Sequence, residues 1–377
     1  MPPPDSYKPQ ESPIRTQIMA SKPGVARDGT RLNRRQYIDA QWCRWYQDRP
    51  RKMGGYKEQV RAVDGIVRAI DIFSVDAFSY INIASGRALS RYAVDNATGA
   101  NSGLVDRTPA AYLPDDSFNW QFSQQYLTAG NDTQIFASGT PSASILTGTS
   151  EHPVYYGDIV ATTPLIKIPD GLVDGPVTSS GGCCAVGPFL FLYGADGVVK
   201  WSTPSDPLDF EGVGSGDARP IADKIVRGYP IRGQSGPAII MWSLSSVVLG
   251  QFVGGTDIFD FTTMTNNASI MSSNGIVEHA GIYYWATTSG FSMFNGVVRD
   301  LPNDQNRQWF LNNVNISQRQ KVFAFKVPRW SEIWWCFPYG TATECTHAVV
   351  YNWLGNFWYD TELPNGGRSA GFYEFIL

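Results

Sequence analysis

The side chains that could do chemistry in this chain are thinly spread, and their spacing decides which reactions are open. Gly194-Ala-Asp-Gly-Val-Val-Lys-Trp201 sets Asp196 five residues before Trp201 in a glycine-bracketed turn. Carboxylates of this kind could cleave a glycosidic bond, but that needs a second carboxylate across a cleft, or a Tyr nucleophile with an Arg cluster. No short motif marks such a partner, and the segment does not recur. The three His, at 152, 279 and 347, are far apart, and of the five Cys only Cys183-Cys184 is a close pair. Neighbouring Cys at the head of an apolar strand are usually small buried hydrophobes, so no metal site is expected. Cys336 and Cys345 could face each other across a hairpin, with the reduced pair as the expected state. A Gly-x-Ser-x-Gly elbow is absent, and Gly212-Val-Gly-Ser-Gly216 lacks the Lys and following helix of a phosphate loop. The expectation is a protein that is not an enzyme and holds no cofactor.

The elements that would position these groups repeat. Phe189-Leu-Phe-Leu-Tyr193 and Val198-Val-Lys-Trp201 flank a tight polar turn, and Ala238-Ile-Ile-Met-Trp242 opens a similar unit. Ile282-Tyr-Tyr-Trp285 runs into Gly290-Phe-Ser-Met-Phe294, and Glu332 to Pro338 is answered by Ala348 to Trp353. Starts near 189, 238, 282 and 332 give spacings of 49, 44 and 50 residues, the period of a propeller blade. Looser copies are Phe78–Ile83 with Ala88–Val94, and Tyr126–Ala129 with Gln134–Ala137. A blade cannot bury both faces alone, so about six such units between residues 60 and 362 predict an all-β propeller of about six blades. The 37 Gly, 24 Pro and 50 aromatics (12 Trp, 18 Tyr, 20 Phe) suit many short strands joined by turns. Residues 95–120 and 145–180 read as Gly, Ser, Thr and Pro-rich insertions. Gly371–Leu377 reads as a strand with no turn after it, either closing the ring onto an earlier blade or marking a sequence that stops short of a further distal domain.

Charge divides the chain at its N-terminal side. Residues 1–68 hold 14 Lys and Arg against 7 Asp and Glu, a net of +7, and residues 69–377 hold 16 against 27, a net of -11, which sum to the overall -4. Residues 1–26, Pro-rich and polar, read as an extended tail that orders only against a partner. The domain division is a basic docking arm, 1–60, and a propeller body, 61–377. Within the arm, Tyr37, Ile38, Gln41, Trp42 and Trp45 recur at helical spacing before Pro50, predicting a helix over 34–46. Arg31, Arg34, Arg35, Trp42, Arg44, Trp45, Arg49, Arg51 and Lys52 form the candidate protein interface, because large aromatics with Arg dominate binding hot spots. A solvated basic face is the plain alternative, and nucleic acid is disfavoured because no binding motif accompanies the charge. No apolar run approaches the roughly 18 to 20 residues of a membrane span, and the first residues lack the features of a signal peptide, so a soluble protein made in a cytoplasm is expected.

Two resemblances follow from these residues. Gly194 to Trp201 approximates the Asp-box of sialidase-like propellers, with the Gly one place after the Asp instead of two. Pro23-Gly-Val-Ala-Arg-Asp-Gly-Thr30, Gln41-Trp-Cys-Arg-Trp45 and Arg49-Pro-Arg-Lys-Met-Gly-Gly-Tyr56 resemble the opening of tail nozzle (tail hub) proteins of short-tailed bacteriophages. The likeness continues through Trp201 to Phe210, with Phe210 where Trp is expected, then through Gly281 to Gly296 and Asn313 to Trp358. It implies a structural virion protein of the phage tail, assembled in the host bacterial cytoplasm. It further implies a homohexameric ring below the portal and head-to-tail adaptor, with tail fibres, tailspikes or a tail needle as further partners, and double-stranded DNA retained in and then ejected through its lumen. The rival reading is a carbohydrate-binding or sialidase-like propeller.

Overall fold

The computed structural model describes residues 21–30, 35–55, 58, 63–110, 119–127, 132–139, 154–168, 181–194, 197–233, 236–364 and 367–373. Among them are six four-stranded antiparallel sheets, each with its strands in chain order. The sheets open at Val67–Val75, Trp120–Leu127, Gly182–Val186, Ile225–Arg232, Ile276–His279 and Phe323–Val327. First strands touch between blades 1 and 2, 2 and 3, 3 and 4, and 5 and 6, and those of blades 1, 2, 4, 5 and 6 line one central cavity, so the six sheets form a six-bladed β-propeller.

Every unit read from the sequence except one turns out to lie on the middle hairpin of a blade; the exception, Tyr126–Ala129 with Gln134–Ala137, spans the first and second strands of blade 2, with residues 128–129 outside the described residues. Phe78–Ser85, Asp132–Gly139, Phe189–Tyr193, Pro237–Ser243, Ile282–Ala286 and Glu332–Phe337 are all second strands. Middle strands are covered on both faces by neighbouring blades and therefore read as continuous apolar runs. Ala238 to Trp242 are all fully buried. The segment 145–180, expected to be an insertion, instead supplies the outer half of blade 2 in Val154–Asp158 and Ile166–Lys167. Its short strands between polar turns carried too little apolar pattern to be read. Residues 371–373 are not in a strand, and the rest of the expected C-terminal strand lies outside the described residues.

Buried apolar clusters fill the wedges between successive blades, for example Phe191, Trp201, Ile239 and Met241 between blades 3 and 4. Alternation along Glu332–Phe337 sends Trp335 toward blade 5 and Trp334 to the opposite face of blade 6. Cluster partners on that second face come from the N-terminal arm, Val25 and Trp45, and not from blade 1. Blade 1 joins blade 6 through Arg68, which is 1 % exposed and donates from both Nη atoms to Glu344 at 2.7 and 2.8 Å. The ring is thus closed by an ion pair and by a covering arm.

Candidate functional site

The arm is built from β1 (Lys22–Val25) beside β2 (Gln36–Tyr37), then the hairpin of β3 (Cys43–Tyr46) and β4 (Arg49–Lys52). No helix forms over 34–46 among the described residues. Gln47 and Asp48 both have positive φ, the backbone of a two-residue hairpin turn, and such a turn ends any helical course. β1 runs beside the last strand of blade 6, Phe357–Glu362, so closely that a Cβ on Gly24 would sit 2.5 Å from the Trp358 carbonyl oxygen. Beyond β1, Arg27 donates to Asp360 and to Asp39, and the Asp28 carboxylate accepts the backbone N–H groups of Gln308 and Trp309. Those two N–H groups open the helix Arg307–Asn313, so Asp28 supplies a cap that the helix's own N-cap side chain does not. Burial pushes the Asp360 carboxyl above its usual range, against the pull of Arg27.

The hairpin divides the predicted interface residues into two sets. Trp45 points inward, 2 % exposed, with ring centres of Tyr359, Tyr37 and Phe357 at 5.1, 5.8 and 6.3 Å. Arg44 also turns inward, 3.4 Å from the fully buried Glu332 and over the Trp330 ring at 4.9 Å. Burial raises the Glu332 carboxyl, with Arg44 and the Trp334 indole N–H acting against the rise. These two side chains therefore serve the chain's own fold. Outward lie Arg35, Arg49, Arg51, Lys52 and Trp42, the last 46 % exposed, while Arg31 and Arg34 are outside the described residues. Arg51 stacks over Tyr46, which meets Trp330 edge-on. Trp42 has φ of 58°, a left-handed backbone that bulky residues seldom adopt. Its N–H donates to Thr361 Oγ1 and its carbonyl accepts from Met53 N. Both bonds hold the indole at the rim of a cavity of about 200 Å³ shared with Met53, Trp334, Glu362 and Pro364. Sequence reasoning found this basic and aromatic face, but could not separate its inward from its outward members.

Among the described residues no three His, Cys, Asp or Glu side chains come together as a metal-binding group. Asp196 and His152 lie outside the described residues. Burial pushes the Cys183 thiol up to about 12 and raises those of Cys184, Cys336 and Cys345, so none is a thiolate at neutral pH. Cys336 and Cys345 are both free thiols, and Cys345 lies against the Lys321 carbonyl.

What sequence reading missed is the axis of the propeller. Its cavity, about 250 Å³, is lined from the first strands by Asp71, Trp120, Arg227, Glu278 and Lys326 among others. Polar side chains tie blades together beside it. Asn274 donates to the carbonyls of Arg68 in blade 1 and Trp120 in blade 2, and its own carbonyl accepts from Ala324 in blade 6. Gln121 of blade 2 donates to Gly181 and to Val226 of blade 4.

No protein-family model matches the chain. No curated protein matches it either. Solved structures similar to it include BBS1N in complex with ARL6DN, at 13 % identity and a TM-score of 0.40, covering 67 % of this chain and 70 % of that one. Another is a nidogen/laminin complex, at 8 % identity and a TM-score of 0.37, covering 75 % of this chain and 97 % of that one. Likenesses this distant carry no argument about function, and the six-bladed assignment rests on the sheets themselves.

Proposed function

We propose that this chain is a structural, non-catalytic ring subunit of the tail nozzle of a short-tailed phage, docking through the outward face of its arm. The observation that carries the reading is that face: Trp42, Arg49, Arg51 and Lys52 stand exposed on a hairpin anchored by Trp45, Arg44 and Arg27. Large aromatics beside Arg on a pre-positioned backbone are what binding hot spots use, and anchoring lowers the ordering cost of association. The tail nozzle resemblance of the sequence supplies the partner class, the head-to-tail adaptor or a neighbouring subunit. Duplex DNA would run through the lumen of the subunit ring, because the propeller's own axis offers only the cavity of about 250 Å³. The acidic body, net -11 over residues 69–377 (16 Lys and Arg against 27 Asp and Glu), would repel phosphates and leave the duplex mobile.

Negative-stain images of the purified protein, and its addition to tail-less phage heads, test the reading together. Closed rings that join the heads are expected, with joining lost in a Trp42→Ala, Arg49→Glu, Arg51→Glu variant that unfolds at the wild-type temperature. Monomers that never join heads would overturn it. So would saturable binding to a glycan array, which belongs to the carbohydrate-binding alternative.

A further inference from the structure

Among the described residues that line the axial cavity, Lys326 pairs with Glu278, whereas Arg227 has no carboxylate partner. It is 9 % exposed, and its Nε and Nη1 are buried without an acceptor. The guanidinium carbon lies 4.7 Å from the centre of the Tyr229 ring, which also lines the cavity. A guanidinium does not give up its proton in a protein, so its charge must be balanced where it sits. Besides Tyr229, the titratable groups within its electrostatic reach are Tyr193, Cys184 and Cys183. Burial raises all three, Cys183 to about 12, so they are neutral at pH 7. The carboxylates of the cavity wall are engaged elsewhere: Glu278 pairs with Lys326 at 3.4 Å, and Asp71 accepts from Gln124 Nε2.

A buried cation of this kind is costly unless an anion joins it. The walls around it are aromatic, from Trp120, Phe122 and Phe325, and suit a ligand with an apolar body. The volume, about 250 Å³, is below the roughly 300 to 1,000 Å³ of drug-sized ligand sites, so the ligand is small. We infer that the axial cavity binds a small carboxylate, its charged end on the Arg227 guanidinium and its apolar body among Trp120, Phe122 and Phe325. This site is independent of the arm and of the docking reading.

Calorimetric titration of the full chain with benzoate, benzamide and inorganic phosphate at constant ionic strength tests the inference. Benzoate should bind saturably at one site per chain and change the Trp emission, because Trp120 lines the cavity. Benzamide, the neutral isostere, should bind about tenfold to a hundredfold more weakly, as expected for loss of a charge-assisted hydrogen bond. Arg227→Gln should weaken benzoate by a similar factor. The benzamide comparison uses wild-type protein, so it stands even if that variant does not fold. Absence of benzoate binding, equal affinity for benzamide, or phosphate binding as tightly as benzoate would each overturn the assignment.

Discussion

Replacing Trp45 with Ala should loosen the ring at its last junction while leaving the other five wedges intact. The indole is 2 % exposed and touches three aromatic rings of the arm and of blade 6. Core Trp→Ala changes cost about 3–5 kcal/mol. Here the lower end applies, because the Trp45 indole N–H is buried without an acceptor, and deleting it recovers part of the loss. With an unfolding entropy of about 2.1 cal/mol/K per residue over 377 residues, about 3 kcal/mol lowers Tm by about 4 °C. Trp42→Gly is the internal control. It removes a half-exposed indole and relieves a left-handed backbone worth roughly 1–2 kcal/mol, so Tm should hold or rise. Scanning calorimetry gives Tm, and limited proteolysis followed by mass spectrometry shows whether cleavage in Trp45→Ala concentrates between residues 43 and 55. If the two variants lose equal stability, or if Trp45→Ala unfolds at the wild-type temperature, the division into inward anchor and outward contact is wrong.

Arg68→Ala should cost about 1.5–3 kcal/mol, since it removes charge-assisted hydrogen bonds across the junction of blades 1 and 6 but leaves a partly exposed Glu344 that still pairs with Lys321, and chemical denaturation measures it. Burial works to raise the Glu344 carboxyl, yet hydrogen bonds from Arg68 and Lys321 hold it below its usual range. A carboxylate with a depressed folded pKa contributes stability above its unfolded value, about 4.3, and the contribution fades as pH falls through the folded value. Acid unfolding of wild type should therefore be steeper below about pH 4.3 than that of Glu344→Gln, as read by tryptophan fluorescence across pH 2–6. Of the five Cys, only Cys43 is partly exposed. A thiol reagent should label one residue in the native protein and all five after denaturation, with mass spectrometry locating the first at Cys43.

The parts of this fold that could be read from sequence are those where both faces of a strand are apolar. Phe189 to Tyr193 and Glu332 to Phe337 declared themselves in that way. Apart from the end of Trp120–Leu127, first strands did not, because they lie nearest the axis and carry polar residues such as Arg68, Asp71, Gln121, Arg227 and Glu278 at positions where a core strand would have Val or Ile. A lone Arg in such a setting looks like a surface residue, and nothing local distinguishes Arg227 from Arg219. The arm misled for a different reason. Tyr37, Trp42 and Trp45 satisfy helical spacing, but Trp45 gains more by entering the blade 6 pocket than a short isolated helix could supply. Outward and inward roles of Trp42 and Trp45 depend on the positive φ at Trp42, which no pattern of residue types announces.

The ion pair of Arg68 with Glu344 also sets an order of events during synthesis. Its partners are 276 residues apart, and Arg27 must wait 333 residues for Asp360. At roughly 5–20 residues per second, the first blade and the arm remain unlatched for about a quarter of a minute to a minute after they emerge. During that interval the indole of Trp45 has no pocket to enter and β4 has no fixed position. The basic face is therefore held in its final geometry only on a chain that has completed blade 6. Under the docking role proposed above, an unfinished or misfolded chain would fail to present that face, and closure of the propeller would act as a checkpoint on assembly.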